Sequence, residues 1–203
     1  MIESLKKIRP SNWKKHRASS LWMIVDWSGE YFVQNKELIP PQVGGCCVYT
    51  DGDKPQDTEL SHYSVKVQSI TPMELISTGL RPNAWRPIQE IGQCDAILFP
   101  SRNNKGDALL LVETKYSKSD EGWKEYKEHA LKQITDTITQ LSTRSCPIDE
   151  RNLFGLISCP LLSPIGASVF SVTELMENYE THRVQIHMGN TATFEDEQTI
   201  SFT

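Results

Sequence analysis

The stretch that decides the fold is QCDAILF at residues 93–99, followed after a polar turn by ALLLVETKY at residues 108–116. Each segment is short, mostly apolar and bounded by turn-forming residues, which is typical of a buried β-strand. The turn between them holds two asparagines and Gly106, residue types that favour a reversal of the chain. We therefore predict an antiparallel hairpin made of these two strands.

Charged side chains stand at one end of this predicted hairpin. Glu113 and Lys115 are two positions apart, so in a strand they point to the same face. Antiparallel pairing would bring Asp95 of the first strand close to both. Two carboxylates beside a lysine suit a Mg²⁺ or Mn²⁺ ion, which prefers hard oxygen ligands and activates a bound water. The alternative interpretation is an ordinary ion pair at an exposed strand end.

The segments that follow predict a helix and a further strand. Ser119 or Asp120 can cap a helix that runs to about residue 141. Residues 153–158 are apolar and predict a third strand, so the order is strand, strand, helix, strand. The apolar positions of the helix step by three or four and form one stripe: Trp123, Tyr126, Ala130, Ile134, Ile138 and Leu141.

This order, with Asp95 on one strand and Glu113-Thr114-Lys115 on the next, resembles the core of the PD-(D/E)xK, or restriction-endonuclease-like, nucleases. The resemblance covers residues 73–158. It implies an α/β (α+β) fold with a mixed central β-sheet flanked by helices and with N- and C-terminal additions, all within one domain at residues 1–203. Members of this family mostly cut DNA with magnesium.

The resemblance also assigns roles to individual residues. Asp95 and Glu113 would be metal ligands, and Lys115 would assist the attacking water. The family often adds an acidic residue from a helix that precedes the hairpin. Glu74 is our candidate, because Thr-Pro-Met-Glu at residues 71–74 predicts a capped helix that ends near residue 79. Glu90 is a poorer candidate, being close to the hairpin rather than on a helix.

Two positions depart from the family's pattern. Cys94 stands where the family name has proline, a position that varies widely in the fold. On the predicted helix, Gln-Ile-Thr-Asp-Thr only partly resembles the Gln-x-x-x-Tyr signature of exonuclease-like members, since Thr137 replaces the tyrosine. Gln133 can still point toward the metal site and is a candidate catalytic residue.

The remaining elements are predicted from shorter patterns. Residues 21–33 are rich in aromatic and β-branched side chains, which predicts a hairpin or two short strands whose aromatics lie in the core. Two prolines predict an irregular, extended path at residues 81–87. Further strands are predicted at residues 46–50, 63–67, 184–187 and 193–194, and a further helix at residues 170–179.

Composition limits the class of protein and its partners. The chain has 203 residues, of which 38% are hydrophobic and 23% charged, as in ordinary globular proteins. Its apolar runs are too short to span a bilayer, and its first residues lack the pattern of a signal peptide, so we expect a cytoplasmic protein. Five cysteines without a Cys-x-x-Cys pair give little support to a zinc site.

Charge is spread in a way that limits nucleic-acid binding to a local surface. The formal net charge of -5 argues against a strongly basic nucleic-acid binder. Residues 1–17 are locally basic, which is typical of a solvated terminus, although a phosphate-contacting arm is the alternative. On the long helix and just before it, Lys118, Lys124, Lys127 and Lys132 alternate with acidic residues, which indicates an ordinary solvated face; a phosphate-contacting rim with Arg102 and Lys105 is the alternative.

Two functions from different classes follow from these patterns. The first is a Mg²⁺- or Mn²⁺-dependent nuclease that hydrolyses phosphodiester bonds of DNA, or instead of RNA. The second is a catalytically inactive, nuclease-like binding module in a larger nucleic-acid processing or defence assembly. Either protein can act as a homodimer or as a partner subunit, and the sequence does not identify an interface.

Overall fold

A computed structural model describes residues 3, 13–41, 43–55, 60–79, 92–102, 104–162 and 171–203 of the chain, without the side chains of residues 120–125 and 172. Glu90, the predicted path at residues 81–87 and most of the basic N-terminal segment lie outside the described residues. The helices are α1 (Glu30–Gln34), α2 (Asp120–Thr143) and α3 (Val172–His182). The strands are β1 (Lys14–Lys15), β2 (Ser19–Asp26), β3 (Cys46–Thr50), β4 (Val65–Met73), β5 (Leu75–Gly79), β6 (Ala96–Pro100), β7 (Ala108–Thr114), β8 (Asn152–Ser158), β9 (Val184–Met188), β10 (Thr191–Phe194) and β11 (Ile200–Phe202).

A mixed six-stranded sheet carries the predicted hairpin. Its strand order is β1-β5-β6-β7-β8-β9. Strands β6 and β7 pair antiparallel, with Ala96 opposite Val112, as the sequence predicts. Helix α2 then crosses over to β8, which pairs parallel to β7, because a parallel partner requires a long connection. The predicted order of strand, strand, helix, strand is confirmed.

A second, five-stranded sheet joins the two ends of the chain. Its order is β11-β10-β4-β2-β3. Strand β10, near the C-terminus, pairs parallel with β4, so that Ala192 lies opposite Val67. The N- and C-terminal additions to the predicted core therefore form one structure rather than two separate extensions.

The layers differ from the expected arrangement on one side of the six-stranded sheet. Helix α2 covers one face, where Ala130, Ile134 and Leu141 are fully buried against strands β6 to β8. The other face packs against the five-stranded sheet rather than a helix, because β2, β4 and β10 each present apolar side chains to it. The prediction of a central sheet flanked by helices therefore holds for one face only, and the fold shown is a mixed α/β arrangement of two sheets.

The predicted helix at residues 71–79 is wrong. Strand β4 extends to Met73, and β5 begins two residues later. Leu75 packs between the two sheets whereas Ile76 packs on the helix side, so successive side chains enter two different cores. Such alternating burial requires a strand, and it outweighs the local capping pattern.

Gly79 ends β5 where two backbones approach each other closely. A Cβ at this position would lie 1.9 Å from the carbonyl oxygen of Cys46 at the start of β3. This glycine therefore serves sheet-to-sheet contact rather than the predicted end of a helix.

The segment at residues 21–33 is only partly a strand. Strand β2 ends at Asp26, and α1 follows where a second strand was predicted. Trp22, Trp27 and Phe32 are buried, as expected for core aromatics. Tyr31 is only partly buried, and it lines a groove next to α2.

Among the described residues, the helices lack the combined length and apolarity that a bilayer span needs.

Candidate active site

Asp95 lies beside the end of β7 because of two backbone contacts. The N–H of Asp95 donates to the carbonyl oxygen of Val112 at 2.8 Å, extending the β6–β7 ladder by one residue. Its carboxylate Oδ2 accepts a hydrogen bond from the N–H of Thr114 at 2.7 Å. The structure thus brings Asp95 next to Glu113 and Lys115, as predicted.

Glu113 and Lys115 form a largely buried ion pair. Glu113 is fully buried, and its Oε1 accepts a hydrogen bond from Lys115 Nζ at 2.5 Å. The side chain of Lys115 is 17% exposed, so it is not closed off completely from solvent. Its backbone N–H donates to the carbonyl oxygen of Ser158 at 2.8 Å, which fixes this residue to the end of β8.

Gln133 reaches the site from α2, as predicted. Its side-chain oxygen accepts a hydrogen bond from Lys115 Nζ at 2.8 Å. Its Nε2 donates to the carbonyl oxygen of Gln93 at 2.9 Å. Gln133 therefore positions the lysine and ties α2 to the segment that leads into β6.

Thr137, which stands where the signature has tyrosine, lies one turn further along α2. Its hydroxyl accepts a hydrogen bond from the N–H of Cys94 at 2.8 Å. This contact fixes the segment that leads into β6, next to Asp95.

Sequence reasoning missed one carboxylate, Asp26, because it comes from the other sheet. It is the last residue of β2, it is 7% exposed, and it interacts electrostatically with Lys115. Its Oδ1 accepts hydrogen bonds from the N–H and the hydroxyl of Ser28, at 3.0 and 2.5 Å. The available signal was an acidic residue directly after a buried apolar strand, the same pattern that identified Glu113.

Burial shifts the protonation of all three carboxyl groups in one direction. It raises the pKa of Glu113 to about 7, although the ion pair with Lys115 opposes the shift. Burial and the nearby charge of Glu113 raise the pKa of Asp95 well above its usual range, and burial also raises that of Asp26. For Lys115, burial lowers the pKa, but the surrounding carboxylates outweigh it and the net shift is upward. Three carboxyl groups therefore interact with the same ammonium group, that of Lys115.

The donor atoms of this group suit a hard divalent cation. Glu113 Oε2 is buried and has no hydrogen-bond partner among the described residues. An unpartnered buried carboxylate oxygen is costly, and a cation would satisfy it. The described part of the chain contains no group of three or more His, Cys, Asp or Glu that could hold a metal ion. A site with one or two carboxylates and several waters is, however, the usual way in which proteins hold Mg²⁺.

Glu74 does not belong to this group. It lies between β4 and β5, directly before Leu75, which pairs with Pro100 at the far end of β6 from Asp95. The exposed carboxylate of Glu74 contacts Lys15 Nζ at 2.8 Å and accepts from Ser101 Oγ at 2.9 Å. The structure does not support the predicted metal role of Glu74, because the segment is a strand and Glu74 lies at the end of that strand remote from Asp95.

A groove of about 660 Å³ opens beside this group, between α1 and α2. Asp26, Lys115 and Tyr116 line it, together with Lys118 of the predicted solvated face. Two other lysines of that face, Lys127 and Lys132, are paired with Glu174 and Asp136, which agrees with the solvated-face prediction. The walls of the groove include Glu30, Tyr31 and Tyr126.

Comparisons of this chain with protein-family models, with curated proteins and with solved structures found no match.

Proposed function

We propose that this protein is a metal-dependent nuclease that hydrolyses phosphodiester bonds in nucleic acid. One observation carries the proposal: Asp95, Glu113 and Lys115 meet at adjacent strand ends, and the buried Glu113 Oε2 has no hydrogen-bond partner among the described residues. A fully buried carboxylate with a pKa near 7 is costly to maintain for structure alone, whereas functional sites commonly contain such groups.

Each residue of the group has its own part in the proposed reaction. Asp95 and Glu113 would hold Mg²⁺ or Mn²⁺, with Asp26 adding negative charge from the opposite sheet. When bound, such an ion lowers the pKa of a coordinated water and stabilises charge on the phosphate. Lys115, whose side chain is partly exposed, would stabilise the charge that develops on the phosphate oxygens.

Gln133 has a positioning role in this proposal. Lys115 Nζ is bonded both to Glu113 Oε1 and to Gln133 Oε1. The neutral second partner keeps the ammonium in place when the charge of Glu113 is shared with another cation. Gln133 is itself fixed by its bond to the carbonyl oxygen of Gln93.

The second candidate function is a nuclease-like binding module without catalysis. The observation that favours it is that Lys115 and Glu113 already neutralise each other, while the described residues hold no three-ligand metal group. Such a protein would bind nucleic acid without cutting it. Cleavage separates the two functions directly.

The test is cleavage of single-stranded DNA, double-stranded DNA and RNA with magnesium, with manganese or with EDTA. The parent protein should cut at least one substrate only when metal is present, and Glu113→Gln should abolish cutting. Glu177→Gln is the matched control, since it removes the same charge at an exposed position of α3. If no substrate is cut and metal does not raise the melting temperature, the binding module replaces the nuclease as the proposed function.

A further inference from the structure

The groove beside the site has two facing walls. One wall is α1, which contributes Glu30 and Tyr31, and the other is the first half of α2, which contributes Tyr126. The C-terminal end of β7 and Lys115 also line the groove, so a chain that occupies the groove contacts Lys115 of the proposed catalytic group. The volume of about 660 Å³ is that of a pocket for one small molecule, or for a short piece of a polymer.

A direct side-chain contact limits the width of the groove. The hydroxyl of Tyr126 on α2 donates to Glu30 Oε2 on α1 at 3.1 Å, so the two walls are only two side chains apart. A nucleic-acid duplex is wider than its own major groove, which is about 12 Å across. A single strand, with its bases unstacked, is narrow enough for such a passage.

Tyr31 and Lys118 form a pair that suits one unpaired nucleotide. Lys118 Nζ lies 4.8 Å from the centroid of the Tyr31 ring, and both residues line the groove. The ring is supported by Tyr116, whose centroid is 6.2 Å away in a stacked arrangement. An aromatic face binds any base by stacking, and an exposed lysine that moves off the ring can meet the adjoining phosphate.

The charges that line the groove suit contact with only a few phosphates of a nucleic acid. Two lysines, Lys115 and Lys118, line it together with the acidic Asp26 and Glu30. Proteins that hold a duplex along its length need many cationic contacts with the backbone, and the described residues of this groove provide few.

We propose that the groove between α1 and α2 admits one unpaired nucleic-acid strand and excludes an intact duplex, with Tyr31 stacking on a base and Lys118 contacting its phosphate. This inference rests on the proposed function, because it names the substrate of the same site. It assigns to the protein single-stranded DNA or RNA, or the unpaired end of a duplex.

Binding without cleavage tests the inference independently of catalysis. Fluorescence anisotropy in EDTA would compare a labelled single-stranded DNA, an RNA of the same sequence, a blunt duplex, and a duplex with an unpaired tail. We expect the single strand and the tailed duplex to bind at least about tenfold tighter than the blunt duplex. Tyr31→Leu should weaken binding of the single strand by about tenfold, from the loss of one stacked base, and leave the blunt duplex unchanged.

The lysine is tested through the dependence on salt. Lys118→Gln should lower the slope of log affinity against log salt for the single strand by about 0.7, the value for one lost phosphate contact. Lys105→Gln removes the same charge from the exposed turn between β6 and β7 and serves as the control. Unchanged melting temperatures would show that each variant is folded.

The outcomes separate this inference from the proposed function. Preference for the single strand by a protein that cuts nothing would keep the inference and remove the nuclease proposal. Cleavage of blunt duplex as fast as single strand, equal binding of the two, or no effect of Tyr31→Leu would overturn the inference and leave the nuclease proposal standing.

Discussion

Replacing Glu113 with glutamine should change how the stability of the protein depends on pH. Burial raises the pKa of this carboxyl from 4.5 to about 7 in the folded protein. Between these values the folded state binds more protons than the unfolded state, so the free energy of unfolding must fall as pH rises. A tenfold change in proton affinity corresponds to about 1.4 kcal/mol, so the rise in pKa amounts to about 3 kcal/mol in total.

The assay is urea denaturation in EDTA at several pH values between about 5 and about 8. The difference in free energy of unfolding between parent and Glu113→Gln measures the effect of removing this one carboxyl. As the pH rises over this range, the parent should lose about 2.5 kcal/mol of stability relative to Glu113→Gln, most of it below about pH 7.5. Asp26, whose pKa is also raised, remains in both proteins. Asp95 adds to the difference in the same direction, because the charge of Glu113 raises its pKa in the parent alone.

Glu177→Gln is again the matched control, because it removes a carboxylate that is exposed on α3. Its free energy of unfolding should fall with rising pH as much as that of the parent. A parent-minus-Glu113→Gln difference that stays constant with pH would refute the reasoning, since it would mean that Glu113 is solvated rather than buried.

Three further changes test the same structure. Lys115→Met removes the partner of the buried Glu113 carboxylate, so we expect the free energy of unfolding at alkaline pH to fall by about 3 kcal/mol or more, measured by urea denaturation. Cleavage should also be lost, and cleavage at the parent's rate would contradict the role of Lys115. Asp26→Asn removes one of three neighbouring carboxyl groups, so it should raise the melting temperature in EDTA. It should also reduce the increase in melting temperature that manganese causes, and an equal increase in parent and variant would place Asp26 outside the site. Gly79→Ala forces a Cβ to within 1.9 Å of the Cys46 carbonyl oxygen, so we expect severe destabilisation in thermal melting, and a parent-like melting temperature would disprove that approach.

The sequence predicted the part of the site that depends on one hairpin. Glu113 and Lys115 share a face because strand side chains alternate, and Asp95 reaches them because the turn between β6 and β7 is short. Gln133 was a candidate because its segment partly resembles the Gln-x-x-x-Tyr signature on the helix that follows the hairpin, and the structure places it beside Lys115. All of these depend on contacts between residues close in the chain, which local periodicity encodes.

Tertiary structure decided the rest. Asp26 joins the site only because the two sheets pack face to face, and Glu74 leaves it because its segment alternates between two cores instead of following its capping pattern. The groove exists because α1, rather than a predicted strand, follows β2 and faces α2 across the site. The sequence by itself thus determined the local hairpin and its charges. Long-range packing decided that Asp26 and α1 meet this hairpin. Contacts between elements distant in the chain leave no periodic signal in a single sequence.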